Sequence, residues 1–118
     1  MTHEEKKVGK IIEELTMFFF SVGAEHVSTN IDRKGNQVTI TMESDYAPDC
    51  EYGLHHLKEY LNEPKNDSVE DIYWELAGSG DPGESSQLLL VGMMLDKAEV
   101  EIEPGKVKLK LYKELLAL

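Results

Sequence analysis

"AEVEIEPGKVKLKLYK" (Ala98–Lys113) alternates apolar and charged residues on both sides of Pro104-Gly105. A period of two is the mark of a half-buried strand, and a Pro-Gly pair between two such runs reads as a tight hairpin turn. Ala98, Val100 and Ile102 then share a face with Val107, Leu109 and Leu111. The opposite face sets Glu99, Glu101 and Glu103 against Lys106, Lys108 and Lys110. Opposite charges meeting across antiparallel strands contribute about 0.2–1 kcal/mol per pair, which favours this register over a slipped one.

A second hairpin is spelled by "HVSTNIDRKGNQVTITME" (His26–Glu43), with "DRKGN" supplying the turn through Gly35. Val27, Thr29 and Ile31 with Val38, Ile40 and Met42 make one apolar face. Ser28, Asn30 and Asp32 with Gln37, Thr39 and Thr41 make the other, which should meet solvent or a hydrophilic partner.

The remaining segments carry helical spacing. Val8, Ile11, Ile12, Leu15, Phe18, Phe19 and Val22 form one stripe behind "THEE" (Thr2–Glu5), which reads as a capping box. Met17 and Phe20 fall off that stripe; they either widen the buried face, the commoner outcome, or contact another molecule. After the loop "SDYAPD", Cys50, Leu54, Leu57 and Leu61 mark a helix stopped by Pro64. A short helix from Ser68 runs on Val69, Ile72, Tyr73 and Leu76 and ends at Gly78, with Trp74 off its stripe, packed on a loop or held for a partner. The glycine-rich loop around Gly78, Gly80 and Gly83 then feeds "QLLLVGMML" (Gln87–Leu95), apolar nearly all round and expected to be the most buried helix.

Two hairpins with one polar face each can bury their apolar sides only against the helices. The fold expected for residues 1–118 is therefore a single α/β (α+β) domain, a two-layer sandwich. About four strands from two hairpins carry the helices on one face, in the order α-β-β-α-α-α-β-β. The apolar tail "ELLAL" docks on this body or on a second copy.

Composition narrows the function. At 118 residues with 41% hydrophobic side chains the chain fills one core. One cysteine, Cys50, allows no intrachain disulfide and suits a reducing compartment. Met1 leads straight into charged "THEEKK", and no apolar run reaches the roughly 18 residues of a membrane span, so a cytoplasmic protein is expected. The formal charge of −11 is concentrated: Glu43–Glu84 holds twelve acidic side chains against Lys58 and Lys65, a local net of −10. Such a segment repels nucleic acid and anionic membranes over roughly 8–10 Å and suits a basic protein partner.

No metal or nucleophile site stands out. His3, His26, His55 and His56 form no i, i+4 pair with one another or with Cys50, and neighbouring His55 and His56 point about 100° apart on a helix. Cys50 lies on an apolar stripe, where an inert thiol is the ordinary outcome.

The order of elements, and above all "SSQLLLVGMMLDKAEVEIEPGKVKLKLYKEL" (Ser85–Leu115), resembles the histidine-kinase-like ATP-binding fold. Sensor kinases, anti-sigma serine kinases, gyrase-type ATPases and a heat-shock chaperone share that fold, and the segment is similar to the closing helix and hairpin of the anti-sigma kinases. In that family the first helix carries Glu-x-x-x-Asn, whose asparagine holds magnesium; here "ELTMF" places Glu14 in the glutamate's position and Phe18 in the asparagine's. The family's Asp-x-Gly-x-Gly, whose aspartate reads adenine, aligns with "ESDYAPD", where Asp45 stands for the aspartate and Tyr46, Ala47 and Pro48 follow it. The later glycine box falls on "GESSQL", where Gly83 remains.

A phenyl ring offers no oxygen to a hard cation. No lysine or arginine lies between Lys65 and Lys97, and Asp81, Pro82 and Glu84 already suit a helix start. The expectation is a noncatalytic regulatory or protein-interaction domain on a degenerate version of this fold, without ATP or a metal. Candidate contacts to its protein partner are Met17, Phe20 and Trp74. The alternative is an active anti-sigma-type kinase binding ATP with magnesium, with Glu14 as general base and Asp45, Gly78, Gly80 and Gly83 around the nucleotide. A structural homodimer or larger homo-oligomer is the third reading.

Overall fold

The computed structural model describes residues 3–55, 57–62, 88 and 91–115. Helix α1 (His3–Ser21) leads into strands β1 (Val27–Lys34) and β2 (Gln37–Asp45), a 3-10 helix (Pro48–Leu54), the short helix α2 (Leu57–Leu61), and strands β3 (Lys97–Glu103) and β4 (Lys106–Glu114). Residues 88 and 91–94 are also helical. The four strands form one sheet in the order β1-β2-β4-β3, antiparallel throughout. This is the α+β architecture and element order expected. The expected helix from Ser68, Trp74, Gly78, Gly80, Gly83 and the capping residue Thr2 lie outside the described residues.

Both hairpins adopt the expected registers. Glu103 faces Lys106, Glu101 faces Lys108 and Glu99 faces Lys110. Pro104 fixes its own φ and Gly105 takes φ +80°, the pattern of a type II turn. The lysines also reach across β4: Lys106 and Lys108 lie 3.6 and 3.7 Å from Glu43 on β2. The two hairpins therefore join through their second strands, with a carboxylate on the neighbouring strand sharing the charge.

The inner face of the sheet carries Val38, Ile40 and Met42 from β2 and Val107, Leu109 and Leu111 from β4, all buried. Against them pack Val8, Ile11, Leu15, Phe18 and Phe19 of α1 with Val22 just past its end, Leu54, Leu57 and Leu61, and Leu88, Val91, Met94 and Leu95. Burying one such side chain stabilises by about 1.5–3 kcal/mol, so this layer outweighs any surface ion pair. The last helix meets α2 backbone to backbone. A Cβ on Gly92 would fall 2.1 Å from the Tyr60 carbonyl oxygen, so only glycine permits the approach.

Three details differ from the sequence reading. Cys50, Leu54, Leu57 and Leu61 do not share one helix, because the segment opens as a 3-10 helix with Pro48 at its start and re-forms as α2 at Leu57. Met17 and Phe20 do not widen the core; they are 59% and 55% exposed. The expected apolar face of β1 is aligned with that of β2 but only Val27 packs against the core; Thr29 and Ile31 are exposed while their partners Met42 and Ile40 are buried. The helical layer covers the middle of the sheet and stops short of the β1 edge.

Candidate functional site

The corner where β2 ends is the place to which the family resemblance points. Val22 ends α1's buried stripe, and the chain reverses through Gly23 at φ +85°. A Cβ there would lie 2.7 Å from that of Ala47, while the Ala47 amide donates to the Val22 carbonyl at 2.9 Å. The turn is thereby strapped to the segment after β2.

Asp45 sits in this strap. Its Oδ1 accepts hydrogen bonds from the backbone amides of Glu25 at 2.8 Å and His26 at 2.9 Å. These two bonds, the His26 amide first, hold its carboxyl below the ordinary carboxylate range against a smaller desolvation effect. Asp45 follows Thr39, Thr41 and Glu43 on the outer register of β2, opposite the buried Ile40, Met42 and Ser44. Around it lie His26, Ser28, Glu43, Gly105 and Lys106.

The next residue turns inward. Tyr46 is buried and its hydroxyl donates to the Glu103 carbonyl at 2.6 Å, locking the corner to the tip of the β3–β4 hairpin. Phe18 is 8% exposed, its ring tilted against that of Phe19 at 5.9 Å. Glu14, one turn earlier, is half-buried on α1 with Lys10 Nζ 3.5 Å from its carboxylate. Glu14 thus belongs to the helical layer and Asp45 to the outer register of the sheet. The described residues do not bring the two together.

Beyond the corner, the 3-10 helix presents Asp49, Glu51 and Tyr52 to solvent, Tyr52 with 81% of its surface free and its ring near that of His55. Cys50 between them is half-buried; desolvation, then the nearby Asp49 carboxylate, raises its thiol pKa, which disfavours the reactive thiolate. Among the described residues no three His, Cys, Asp or Glu side chains converge as a metal site would require. No described helix is long and apolar enough to cross a membrane.

Two charged features escaped the sequence reading. Lys113 is fully buried and donates to the Met94 carbonyl at 2.9 Å, and Glu4 and Lys7 pair at 2.9 Å with both side chains almost fully buried. The signal for Lys113 was its parity: it follows Val107, Leu109 and Leu111 on the inward register of β4.

A scan against models of known protein families finds no match, and comparison with curated proteins finds no relative.

Proposed function

We propose that the chain is a noncatalytic interaction domain on a degenerate histidine-kinase-like fold, in which recognition of a protein replaces binding of Mg-ATP. The observation that carries this reading is the packing of Phe18 in the core, at the position where the resemblance requires an oxygen ligand for magnesium. The corner supports it. Asp45, the stand-in for the adenine-reading carboxylate, spends one oxygen on two backbone amides, and none of the four residues after it is a glycine of the kind the family's motif has there. The residues present do not suit the nucleotide, and no chemical step is assigned to it.

The partner's chemistry follows from what is exposed. Asp49, Glu51 and Tyr52 crown the 3-10 helix, within the segment of local charge −10, while Met17 and Phe20 offer apolar area on α1. Acidic groups beside an exposed aromatic suit a basic protein surface, steered by charge and anchored by apolar contact.

Thermal melting of the full chain with ATP, with and without magnesium, tests this reading. A ligand at a hundredfold excess over its Kd stabilises by about 2.7 kcal/mol, a readily measured rise in Tm. A flat melt to millimolar ATP supports the interaction domain; a magnesium-dependent rise replaces it with the kinase reading. Titrating basic protein partners while following Trp74, the single tryptophan, then reports binding directly.

A further inference from the structure

The two edges of the sheet are treated differently. On β3, the outward amide of Ala98 is taken by Asn62 Oδ1 at 3.1 Å, Val100 and Ile102 keep outward backbone groups with no partner among the described residues, and Lys97, Glu99, Glu101 and Glu103 line the outer face. On β1 the ladder to β2 closes at Lys34–Gln37, and at its other end the Asp45 amide donates to His26 O. Even-numbered residues therefore bond to β2, and Val27, Thr29, Ile31 and Arg33 turn their N–H and C=O outward. No described residue bonds those groups. The strand has neither proline nor bulge, since its register with β2 runs unbroken from Val27 to Lys34. Its one inward-pointing charge, Arg33, is drawn aside by Glu5 Oε2 at 2.8 Å.

The same edge has an apolar flank. Ile31 is 50% exposed and borders a groove with Val8, Gly9 and Ile12 of α1. Gly9 lies in this groove, and a Cβ there would meet nothing within 4 Å, so the chain's own packing gives no reason for a glycine in mid-helix. Lys6 and Glu13 stand on the groove's α1 rim, two helical turns apart and on either side of Gly9.

We infer that β1 is the seam of a two-fold dimer, in which a second copy of this chain pairs antiparallel along it and continues the sheet to eight strands. A two-fold axis perpendicular to the sheet keeps the helix side with the helix side and so matches odd residues with odd ones, which are those with free backbone groups. With the axis at Ile31, that side chain meets its own copy, Thr29 meets Arg33, Asn30 meets Asp32 and Ser28 meets Lys34. No like charges face one another. The two α1 helices then run antiparallel across the groove, close at Gly9, with Lys6 of one copy opposite Glu13 of the other. An unrelated extended peptide would satisfy the backbone but would leave this charge symmetry and the bare Gly9 without a counterpart. The dimer does not depend on the reading of the nucleotide corner.

Sedimentation of the full chain over a wide concentration range tests the inference. The expected result is a reversible dimer that Thr29→Pro abolishes with the far-ultraviolet circular dichroism unchanged, because the lost N–H serves no bond to β2. Lys6→Glu and Glu13→Lys should each weaken the dimer about tenfold, since each places two like-charge pairs at the seam, and the double reversal should restore it. Both side chains are exposed, Glu13→Lys in addition breaking the Lys10–Glu13 pair at 3.1 Å within α1, so Lys6→Glu and its rescue by the double reversal decide the matter even if Thr29→Pro unfolds. A monomer at every concentration, a dimer indifferent to the single reversals, or an extended partner bound by a chain that stays monomeric would each overturn it.

Discussion

Lys113 Nζ donates to the Met94 carbonyl at 2.9 Å with the lysine fully buried, so a charge on the inner face of β4 caps the C-terminal end of the last helix. Helix ends leave carbonyls without intrahelical donors, and a cation there also meets the favourable end of the dipole. Lys113→Met keeps the apolar stem and removes the donor. It is expected to cost about 1–3 kcal/mol in urea unfolding, the range for a buried acceptor left unsatisfied.

Phe18→Asn restores the side chain that the family resemblance would place on α1. The core has no room for that exchange: a buried ring is lost and an amide is left among Phe19, Leu15 and Val22. A loss of about 3–5 kcal/mol is expected, with no gain in ATP-dependent stability. Urea unfolding measures the first, and melts with Mg-ATP the second.

Glycine to alanine should act in opposite directions at two helical positions. Gly92→Ala drives a methyl into the Tyr60–Leu61 backbone and should destabilise by about 1–3 kcal/mol or more. Gly9→Ala meets open space and removes a mid-helix glycine, stabilising the monomer by up to about 1 kcal/mol. Paired thermal melts at low protein concentration give both signs.

The Asp45 strap predicts a pH dependence. Its carboxyl pKa is lowered on folding by the His26 and Glu25 amides, so the folded state favours the ionised form. That contribution is complete above the unfolded carboxylate value and is lost as pH falls through the lowered one, that is, below about pH 4. Asp45→Asn should therefore show a shallower fall in stability between pH 4 and pH 2 than the parent chain, measured by urea unfolding at each pH.

The strands were legible because each repeats a local rule many times. Six alternating positions around Pro104-Gly105 and six around Gly35 determine which side chains share a face before any tertiary contact is known. Helix α1 was equally plain from its stripe. Burial at the margins was not, because whether Ile31 or Phe20 is covered depends on where the helical layer stops, a property of the assembled molecule. The 3-10 segment was missed because stripe counting ignores what Pro48 does to the start of a helix. Asp45 was singled out as a ligand-reading group, and nothing local revealed its bonds to Glu25 and His26; those amides lie nineteen and twenty residues away and reach it only once β1 pairs with β2.

The Asn62 side chain on the Ala98 amide bears on how far such an assembly can grow. Asn62 blocks the β3 margin at that one position, while Val100 and Ile102, of the same parity, turn their backbone groups outward with no partner among the described residues. If β1 pairs as inferred, further growth of the sheet is checked only at β3, by the Asn62 bond and by the charged Glu99, Glu101 and Glu103 on its outer face.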